Sequence, residues 1–93
     1  MPQIIVSYDV VSDNRRARLA KFLVGFLDRV QKSVFEGQID DRQLARLRAG
    51  LVRRVDPDVD SVRIYLVCQR CVASTEVVGV GAYIEADDSD ILV

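Results

Sequence analysis

Hydrophobic and polar positions divide the first third of the chain into a strand and a helix. The run from Gln3 to Val11 is mostly apolar and rich in β-branched residues, as is typical of a central strand covered on at least one face. Ser12, Asp13 and Asn14 follow, and all three are good helix-capping residues. Beyond them, apolar residues recur at the spacing of one helix face. These are Leu19, Phe22, Leu23, Phe26 and Leu27.

The next segments repeat strands and a helix in a different order. Residues 29–39 alternate, which predicts strand structure broken into two short strands near Lys32-Ser33. Asp40 is placed to cap a second helix, and the run Asp56-Pro57-Asp58 ends it. Residues 61–67 alternate like a half-buried strand. The apolar stripe of the second helix consists of Leu44, Leu47, Leu51 and Val52.

The order β-α-β-β-α-β predicts an α+β fold of the ferredoxin-like type, with an antiparallel sheet and both helices on one face. A length of 93 residues fits one such domain. Short extended pieces between residues 76 and 86 have no role in that minimal fold, so we expect an extra C-terminal strand that pairs with the sheet edge of a second copy. We therefore divide the chain into a domain of residues 1–84, including this strand, and an acidic tail of residues 85–93.

Composition narrows the class of protein. Apolar residues make up 49% of the chain and charged residues 29%, which excludes a disordered chain and a membrane span. The chain starts without a signal-peptide pattern, so we expect it in the cytoplasm. Its net charge of −1 hides an asymmetry, because the tail holds four acids and no base. Most bases of the mildly basic body are arginine, which suits a phosphate-bearing partner, although a GC-rich coding bias would produce the same preference. The tail is either solvated chain or a docking segment for a basic protein.

Several common devices of catalysis are absent from the sequence. There is no histidine and no phosphate-binding Gly-x-x-x-x-Gly-Lys loop, and residues 79–81 lack the third glycine of a dinucleotide fingerprint. Cys68 and Cys71 form a lone Cys-x-x-Cys, for which a zinc site would need a second pair from another chain. A redox motif normally opens a helix, whereas residues 72–75 are interpreted as a turn. We therefore interpret both cysteines as reduced thiols without a role.

The candidate for chemistry is Asp9, a carboxylate near the end of an apolar strand. If buried it would be unfavourable, so it must lie at the exposed end of the strand, be paired, or bind a metal. Pairing would involve Arg15 or Arg16, or a cap on the first helix. A magnesium ion takes one or two carboxylates and completes its shell with water and substrate phosphates, and a two-fold dimer would supply a second Asp9. The residues alone leave these alternatives open.

Two further clusters have competing interpretations. Four strand aromatics either stack nucleic-acid bases or belong to the core, which is the commoner role. They are Tyr8, Phe35, Tyr65 and Tyr83. Three alternating carboxylates resemble calcium-loop ligands, but the proline among them and the lack of a glycine and a distal glutamate favour a solvated turn between helix and strand. They are Asp56, Asp58 and Asp60.

An ordered set of motifs resembles the CRISPR-associated protein 2 family over residues 1 to about 80. The most specific motif is the run Arg-Val-Gln-Lys-Ser-Val-Phe-Glu-Gly at residues 29–37. It is preceded by Tyr8-Asp9-Val10, Arg15-Arg16 and Gly25, and followed by the run Asp-Ser-Val-Arg-Ile-Tyr at residues 60–65. Leu66, where many members have proline, and Phe26-Leu27-Asp28 depart from the family pattern.

The resemblance implies a ferredoxin-like homodimer in which the C-terminal strand pairs with the other subunit. It also implies a partnership with the CRISPR-associated integrase during spacer acquisition in antiviral defence, with the dimer as a bridge along duplex DNA. Some members are described as metal-dependent nucleases that use the aspartate at the end of the first strand, which here is Asp9. In other members that aspartate is described as unnecessary for acquisition.

Three functional hypotheses follow, none of which involves a membrane. In the first, the protein is an adaptor whose Arg15, Arg16 and Arg18 contact the phosphates of duplex DNA while the dimer bridges integrase subunits. In the second, Asp9 of both subunits binds Mg²⁺ or Mn²⁺ and the protein is an endonuclease acting on RNA or DNA. In the third, the same frame serves a regulatory RNA-binding dimer.

Overall fold

A computed structural model describes residues 1–79 and the backbone of residues 81–82 and 91–92. Its elements are β1 (Gln3–Asp9), α1 (Asp13–Val24), β2 (Asp28–Gln31), β3 (Val34–Gln38), α2 (Asp41–Arg54), β4 (Ser61–Val67), α3 (Gln69–Ala73), β5 (Gly81–Ala82) and β6 (Ile91–Leu92). The predicted β-α-β-β-α-β order is confirmed. None of the helices in the described residues has the length and apolar character needed to cross a bilayer.

The main sheet has four strands in the order β2-β3-β1-β4, and each neighbouring pair is antiparallel. This order is that of the ferredoxin-like fold, as predicted. The break between β2 and β3 falls at Lys32-Ser33, where the sequence predicted it. Asp9 lies opposite Ser61, so the C-terminal end of β1 and the start of β4 lie side by side at one end of the sheet.

The core forms between one face of β1 and the two long helices. Successive side chains of a strand point to opposite faces, and the even-numbered positions Ile4, Val6 and Tyr8 are buried whereas Asp9 is exposed. The helices add a stripe of leucines to the same cluster: Leu19, Leu23, Leu44, Leu47 and Leu51. The predicted apolar stripe of α2 also included Val52, which is exposed. It lies one residue beyond Leu51, about 100° further around the helix.

Side chains cap both long helices. The Ser12 hydroxyl accepts the backbone N–H of Arg15 at 3.2 Å. Asp40 accepts the N–H of Gln43 at 2.7 Å, and the Gln43 side chain accepts the N–H of Asp40 at 3.0 Å, which completes a capping box. The predicted N-terminal regions of both helices are therefore confirmed.

The C-terminal part of the chain differs from the sequence-based expectation. Residues 72–75 were expected to form a turn, but α3 runs through Ala73. Residues 76–78 are in no strand, and β5 pairs with β6 of the same chain. Tyr83, Ile84 and the acids of the tail lie outside the described residues. The pairing of a C-terminal strand with a second copy, and the division into residues 1–84 and 85–93, stay predictions.

Gly50 of α2 faces Phe22 of α1 where the two long helices pack. A methyl group at Gly50 would lie 2.0 Å from Cζ of Phe22, closer than real carbon atoms come. The guanidinium of Arg54, also on α2, lies over the same ring, 4.0 Å from its centroid. The Phe22 ring thus packs against α2 at both Gly50 and Arg54.

Gly50→Ala should therefore lower the free energy of unfolding. Overpacking of this kind costs about 1–3 kcal/mol, which outweighs the ~1 kcal/mol that alanine gains over glycine inside a helix. Urea denaturation followed by circular dichroism measures the change. Gly25→Ala is the matched control, because Gly25 has a negative φ and an added methyl would meet only the Phe22 carbonyl oxygen, at 3.4 Å. Equal stability of the two variants would contradict the close helix approach.

Candidate functional site

A cleft of about 680 Å³ opens at the C-terminal end of β1. It is bounded by the end of that strand, the solvent side of α1 and the turn between β2 and β3. Its charged and polar lining comprises Tyr8, Asp9, Asp13, Arg16, Lys21, Arg29, Lys32 and Ser33. Four of these side chains are basic and two are acidic, so the cleft carries an excess of positive charge.

Asp9 lies at the exposed end of β1 and reaches this cleft. Among the described residues its carboxylate has no ion pair and no hydrogen bond from another side chain. The alternative in which Asp9 pairs with Arg15 or Arg16 does not hold, because Arg15 pairs with Asp60 and Arg16 pairs with Asp13. Asp9 does not cap α1 either, since Ser12 does so. The first of the three sequence alternatives, exposure at the strand end, describes its position.

The partner of Arg15 is Asp60, which precedes β4. Nε of Arg15 donates to Oδ2 of Asp60 at 2.8 Å, and Nη2 donates to Oδ1 at 3.1 Å. The backbone N–H groups of Val11 and Asp56 donate to the same carboxylate, each at 2.9 Å. The Asp60 side chain has no exposed surface. One carboxylate thus ties the loop after β1, the start of α1 and the turn before β4 together.

This arrangement controls the ionisation of both partners. The Arg15 guanidinium, helped by the two backbone donors, holds the pKa of the Asp60 carboxyl well below its usual range, although burial opposes the shift. The same hydrogen bond raises the pKa of Arg15. The pair is consequently charged throughout the neutral range, and burial of the carboxylate is compensated by its four donors.

The Asp60 contacts change how two sequence expectations are understood. The turn between α2 and β4 was expected to be solvated, but its last carboxylate is buried and paired. Asp56 accepts the backbone N–H of Asp58 at 3.0 Å, so these carboxylates serve the turn itself. Arg15 was predicted to contact phosphates, yet two of its three nitrogens are engaged by Asp60 and it does not line the cleft.

Arg16 and Arg18 occupy different positions on α1. Nη1 of Arg16 donates to the carbonyl of Val10 at 2.8 Å, and Nη2 pairs with Asp13. The Arg16 side chain lines the cleft and keeps part of its surface exposed. Arg18 is exposed but is not among the residues lining the cleft. Of the three arginines predicted to bind nucleic acid, the structure brings only Arg16 beside Asp9.

Two bases that the sequence analysis did not single out as site residues are Arg29 on β2 and Lys32 in the turn between β2 and β3. The carbonyl of Lys32 accepts the Tyr8 hydroxyl at 3.1 Å and Nη2 of Arg29 at 2.6 Å. The N–H of Tyr8 donates to the carbonyl of Ser33 at 3.1 Å. These bonds fasten the turn over the end of β1 and bring Lys32 and Arg29 to the cleft. Both lie in the run at residues 29–37, the most specific of the family motifs, and this motif was the feature of the sequence that could have marked them as site residues.

The aromatic residues divide between the core and the open sheet surface. Tyr8 and Phe35 are buried, and their ring centroids are 6.2 Å apart. The core interpretation is therefore confirmed for these two. Tyr65 is exposed and lies opposite Ile5 on β1. Tyr83 lies outside the described residues.

The donor set of a single chain suits a divalent ion only in part. Within residues 1–79, no group of three Asp, Glu, His or Cys side chains is placed to hold a metal. Asp13 shares the cleft with Asp9 but is paired with Arg16. Asp9 therefore offers one unpaired carboxylate as an oxygen ligand. A single carboxylate suits Mg²⁺ or Mn²⁺ when substrate phosphates, or a second copy of the chain, supply further ligands.

Fold and site together define a class of protein: a small ferredoxin-like domain with a free carboxylate at the end of β1, inside a basic cleft. Residues 1–75 match the family model described as CRISPR associated protein Cas2. The chain belongs to this family, and the resemblance drawn from the motifs is confirmed.

Similar proteins cover most of the chain. A CRISPR-associated endoribonuclease Cas2 from Mycobacterium tuberculosis is 41% identical over 85 residues, which are 91% of this chain and 73% of that protein. A CRISPR-associated endonuclease Cas2 from Thermus thermophilus is 40% identical over 87 residues, which are 94% of this chain and 92% of that protein. The crystal structure of a hypothetical protein from Thermus thermophilus superposes with a TM-score of 0.79 at 40% identity, covering 90% of this chain and 98% of that one.

Asp60→Asn should destabilise the protein in a pH-dependent way. The folded-state pKa of Asp60 is lowered, so its contribution to stability is fully present above the unfolded-state pKa, about 3.9, and is lost as the pH falls further toward the folded-state value. The difference in unfolding free energy between wild type and variant should be constant near neutral pH and shrink below about pH 4. Urea denaturation across that pH range measures it.

Asp58→Asn provides the matched control, since it removes an exposed carboxylate from the same turn. It should leave the stability close to that of wild type at neutral pH. If Asp58→Asn and Asp60→Asn lowered the stability equally, the buried pair would not be the interaction that secures this junction.

Proposed function

We propose that this protein binds the phosphate backbone of nucleic acid through the cleft around Asp9, and that its main nucleic-acid partner is duplex DNA. The observation that supports it is the convergence of four bases from separate elements on one cleft, in which only Arg16 has an acidic partner among the described residues. Arginine forks and lysine ammonium groups both suit phosphate oxygens, and contacts of this kind tolerate any base sequence. Arg18, the third arginine predicted to contact phosphates, is exposed on α1 outside the cleft.

We further propose that the protein acts as a homodimer that bridges integrase subunits during spacer acquisition. Membership of the Cas2 family supports this role. Two features of the sheet support a second copy. Tyr65 is 46% exposed on the face away from the core, and the outer edge of β4 has no strand partner among the described residues. An edge strand with unpaired backbone groups is a site where another chain adds a strand.

The phosphate-binding proposal predicts a change in salt dependence. Removal of two contacts by Arg16→Ala with Lys32→Ala should reduce the slope of log affinity against log salt for duplex DNA by about 1.8, since each phosphate contact contributes about 0.9. Fluorescence anisotropy at several salt concentrations measures the slope.

Arg42→Ala with Arg46→Ala is the control for total charge. It removes the same number of positive charges from exposed positions of α2 that do not line the cleft. The slope of this variant should stay at the wild-type value. Equal flattening by both pairs would mean that binding follows net charge rather than the cleft.

A metal-dependent endonuclease is the second candidate function, and the unpaired state of Asp9 favours it. A carboxylate free of protein partners in a basic cleft can bind a divalent cation, whereas the neighbouring Asp13 is neutralised by Arg16. The names endoribonuclease and endonuclease of the relatives support hydrolysis of RNA or DNA phosphodiesters. Mg²⁺ or Mn²⁺, when bound, supplies Lewis-acid activation of the phosphodiester and of the attacking water.

The residues of the chain have separate tasks in such a reaction. Asp9, with Asp9 of a second copy, would hold the ion. Arg16, Lys21 and Lys32 would bind phosphates on either side of the scissile bond and offset their charge. Arg29 and Tyr8 hold the turn that carries Lys32, because the side chain of each donates a hydrogen bond to the backbone carbonyl of Lys32. Among the residues that line the cleft, Asp9 is the only carboxylate without a basic partner in the described structure.

Asp9→Asn should abolish Mg²⁺- or Mn²⁺-dependent cleavage, because the amide lacks the charge that holds a divalent ion. Cleavage of labelled single-stranded RNA and duplex DNA measures the effect. The oligomer mass by light scattering should stay that of wild type.

Asp58→Asn again serves as the control and should cleave at the wild-type rate. Cleavage that survives in Asp9→Asn would contradict the metal role of this residue. It would leave the phosphate-binding proposal intact, since that rests on the bases of the cleft.

A further inference from the structure

Cys68 and Cys71 lie in contact where the chain leaves β4. Cys68 is the N-cap of α3 and Cys71 is its third residue. Their Sγ atoms are 3.4 Å apart, and both residues are exposed. The motif therefore opens a helix, contrary to the sequence expectation of a turn, and its two thiols meet.

The two cysteines occupy the same helix positions, N-cap and N3, as the capping pair at the start of α2. There, the N-cap Asp40 and the third helical residue Gln43 join their side chains and backbones in a capping box. Positions N-cap and N3 face each other in any such helix start. At α3 these positions hold two cysteines whose Sγ atoms meet, and Cys68 makes no side-chain capping bond. A disulfide bond is about 2.05 Å long, so closure requires small side-chain rotations and no movement of a distant segment.

We propose that Cys68 and Cys71 form a reversible intramolecular disulfide by exchange with a low-molecular-weight disulfide, such as oxidised glutathione. The fold holds both sulfurs at the surface and in contact, which is what exchange requires.

The exchange proceeds in two balanced steps. The Cys68 thiolate attacks one sulfur of the small disulfide, a mixed disulfide forms, and the first small thiolate leaves and takes up a proton. Cys71 then loses its proton and attacks Sγ of Cys68, and the second small thiol is released. Two cysteines are oxidised and one small disulfide is reduced to two thiols. The backbone N–H groups of the first turn of α3, that of Cys71 foremost, lower the pKa of Cys68, and the neighbouring Cys68 raises that of Cys71. We therefore assign the attack to Cys68, the thiol at the N-cap of the helix.

The dithiol is remote from the Asp9 cleft. Val67, just before Cys68, lies opposite Gln3 at the start of β1, whereas Asp9 lies opposite Ser61 at its end. Six residues of strand separate the two ends by about 20 Å. The proposed oxidation thus takes place at the opposite end of β1 from the residues proposed for phosphate binding and cleavage.

The test uses the reduced native protein, incubated anaerobically with oxidised glutathione and analysed by intact mass and peptide mapping. We expect loss of both free thiols and of two hydrogens in mass, with a Cys68–Cys71 linkage and no retained glutathione. A stable glutathione adduct, a covalent dimer or two remaining thiols would each overturn the proposal.

The Cys71→Ser variant tests whether Cys68 attacks the small disulfide. It keeps Cys68 at the N-cap of α3 but lacks the second thiol, so it should accumulate a glutathione adduct on Cys68. Absence of that adduct, with circular dichroism showing an intact fold, would contradict the role of Cys68 as the attacking group.

The unfolded chain distinguishes the effect of the fold from that of sequence proximity. The equilibrium constant for disulfide formation with glutathione should be larger for the native protein than for the same protein in urea. Equal constants would show that the folded structure does not promote the bond.

Discussion

The buried carboxylate of Asp60 is the interaction on which the candidate site depends. It accepts two bonds from Arg15 and two from backbone N–H groups, and so joins the loop after β1 and the start of α1 to the turn before β4. A buried carboxylate is tolerated only when its charge and its lone pairs are satisfied, and here both conditions are met. Because the loop directly follows Asp9, this bonding also fixes where the end of β1 emerges.

The distribution of ion pairs explains which charges are left for function. Arg15 is committed to Asp60, and Arg16 is shared between Asp13 and the carbonyl of Val10. Cations at a helix N-terminus oppose the helix dipole, and their acidic partners offset that cost. Asp9 consequently keeps a free carboxylate, although it lies only a few residues from both arginines. The basic side chains around it come from α1, from β2 and from the turn between β2 and β3.

The same arrangement suits both of the functions proposed for this member of the Cas2 family. Binding of a phosphate backbone needs bases at the surface of a cleft and no particular geometry at Asp9. The proposed hydrolysis would need an ion at Asp9 as well, and Asp9 is the single unpaired carboxylate that lines the cleft in the part of the chain that the structure describes. Under the two proposals, binding and hydrolysis would therefore differ in whether a second copy or the substrate brings further ligands to Asp9.

The sequence by itself determined the local features: the strand-helix order, the caps at Ser12 and Asp40, the break at Lys32-Ser33, and Asp9 at the end of a strand. These depend on alternation, helical spacing and contacts within about four residues along the chain. Only the tertiary structure decided that Arg15 belongs to Asp60 rather than Asp9, that Lys32 reaches the cleft, and that Gly50 faces Phe22. Each of these contacts joins segments that are distant along the chain, and side-chain pairing follows from how the strands and helices pack, which spacing along one segment does not encode.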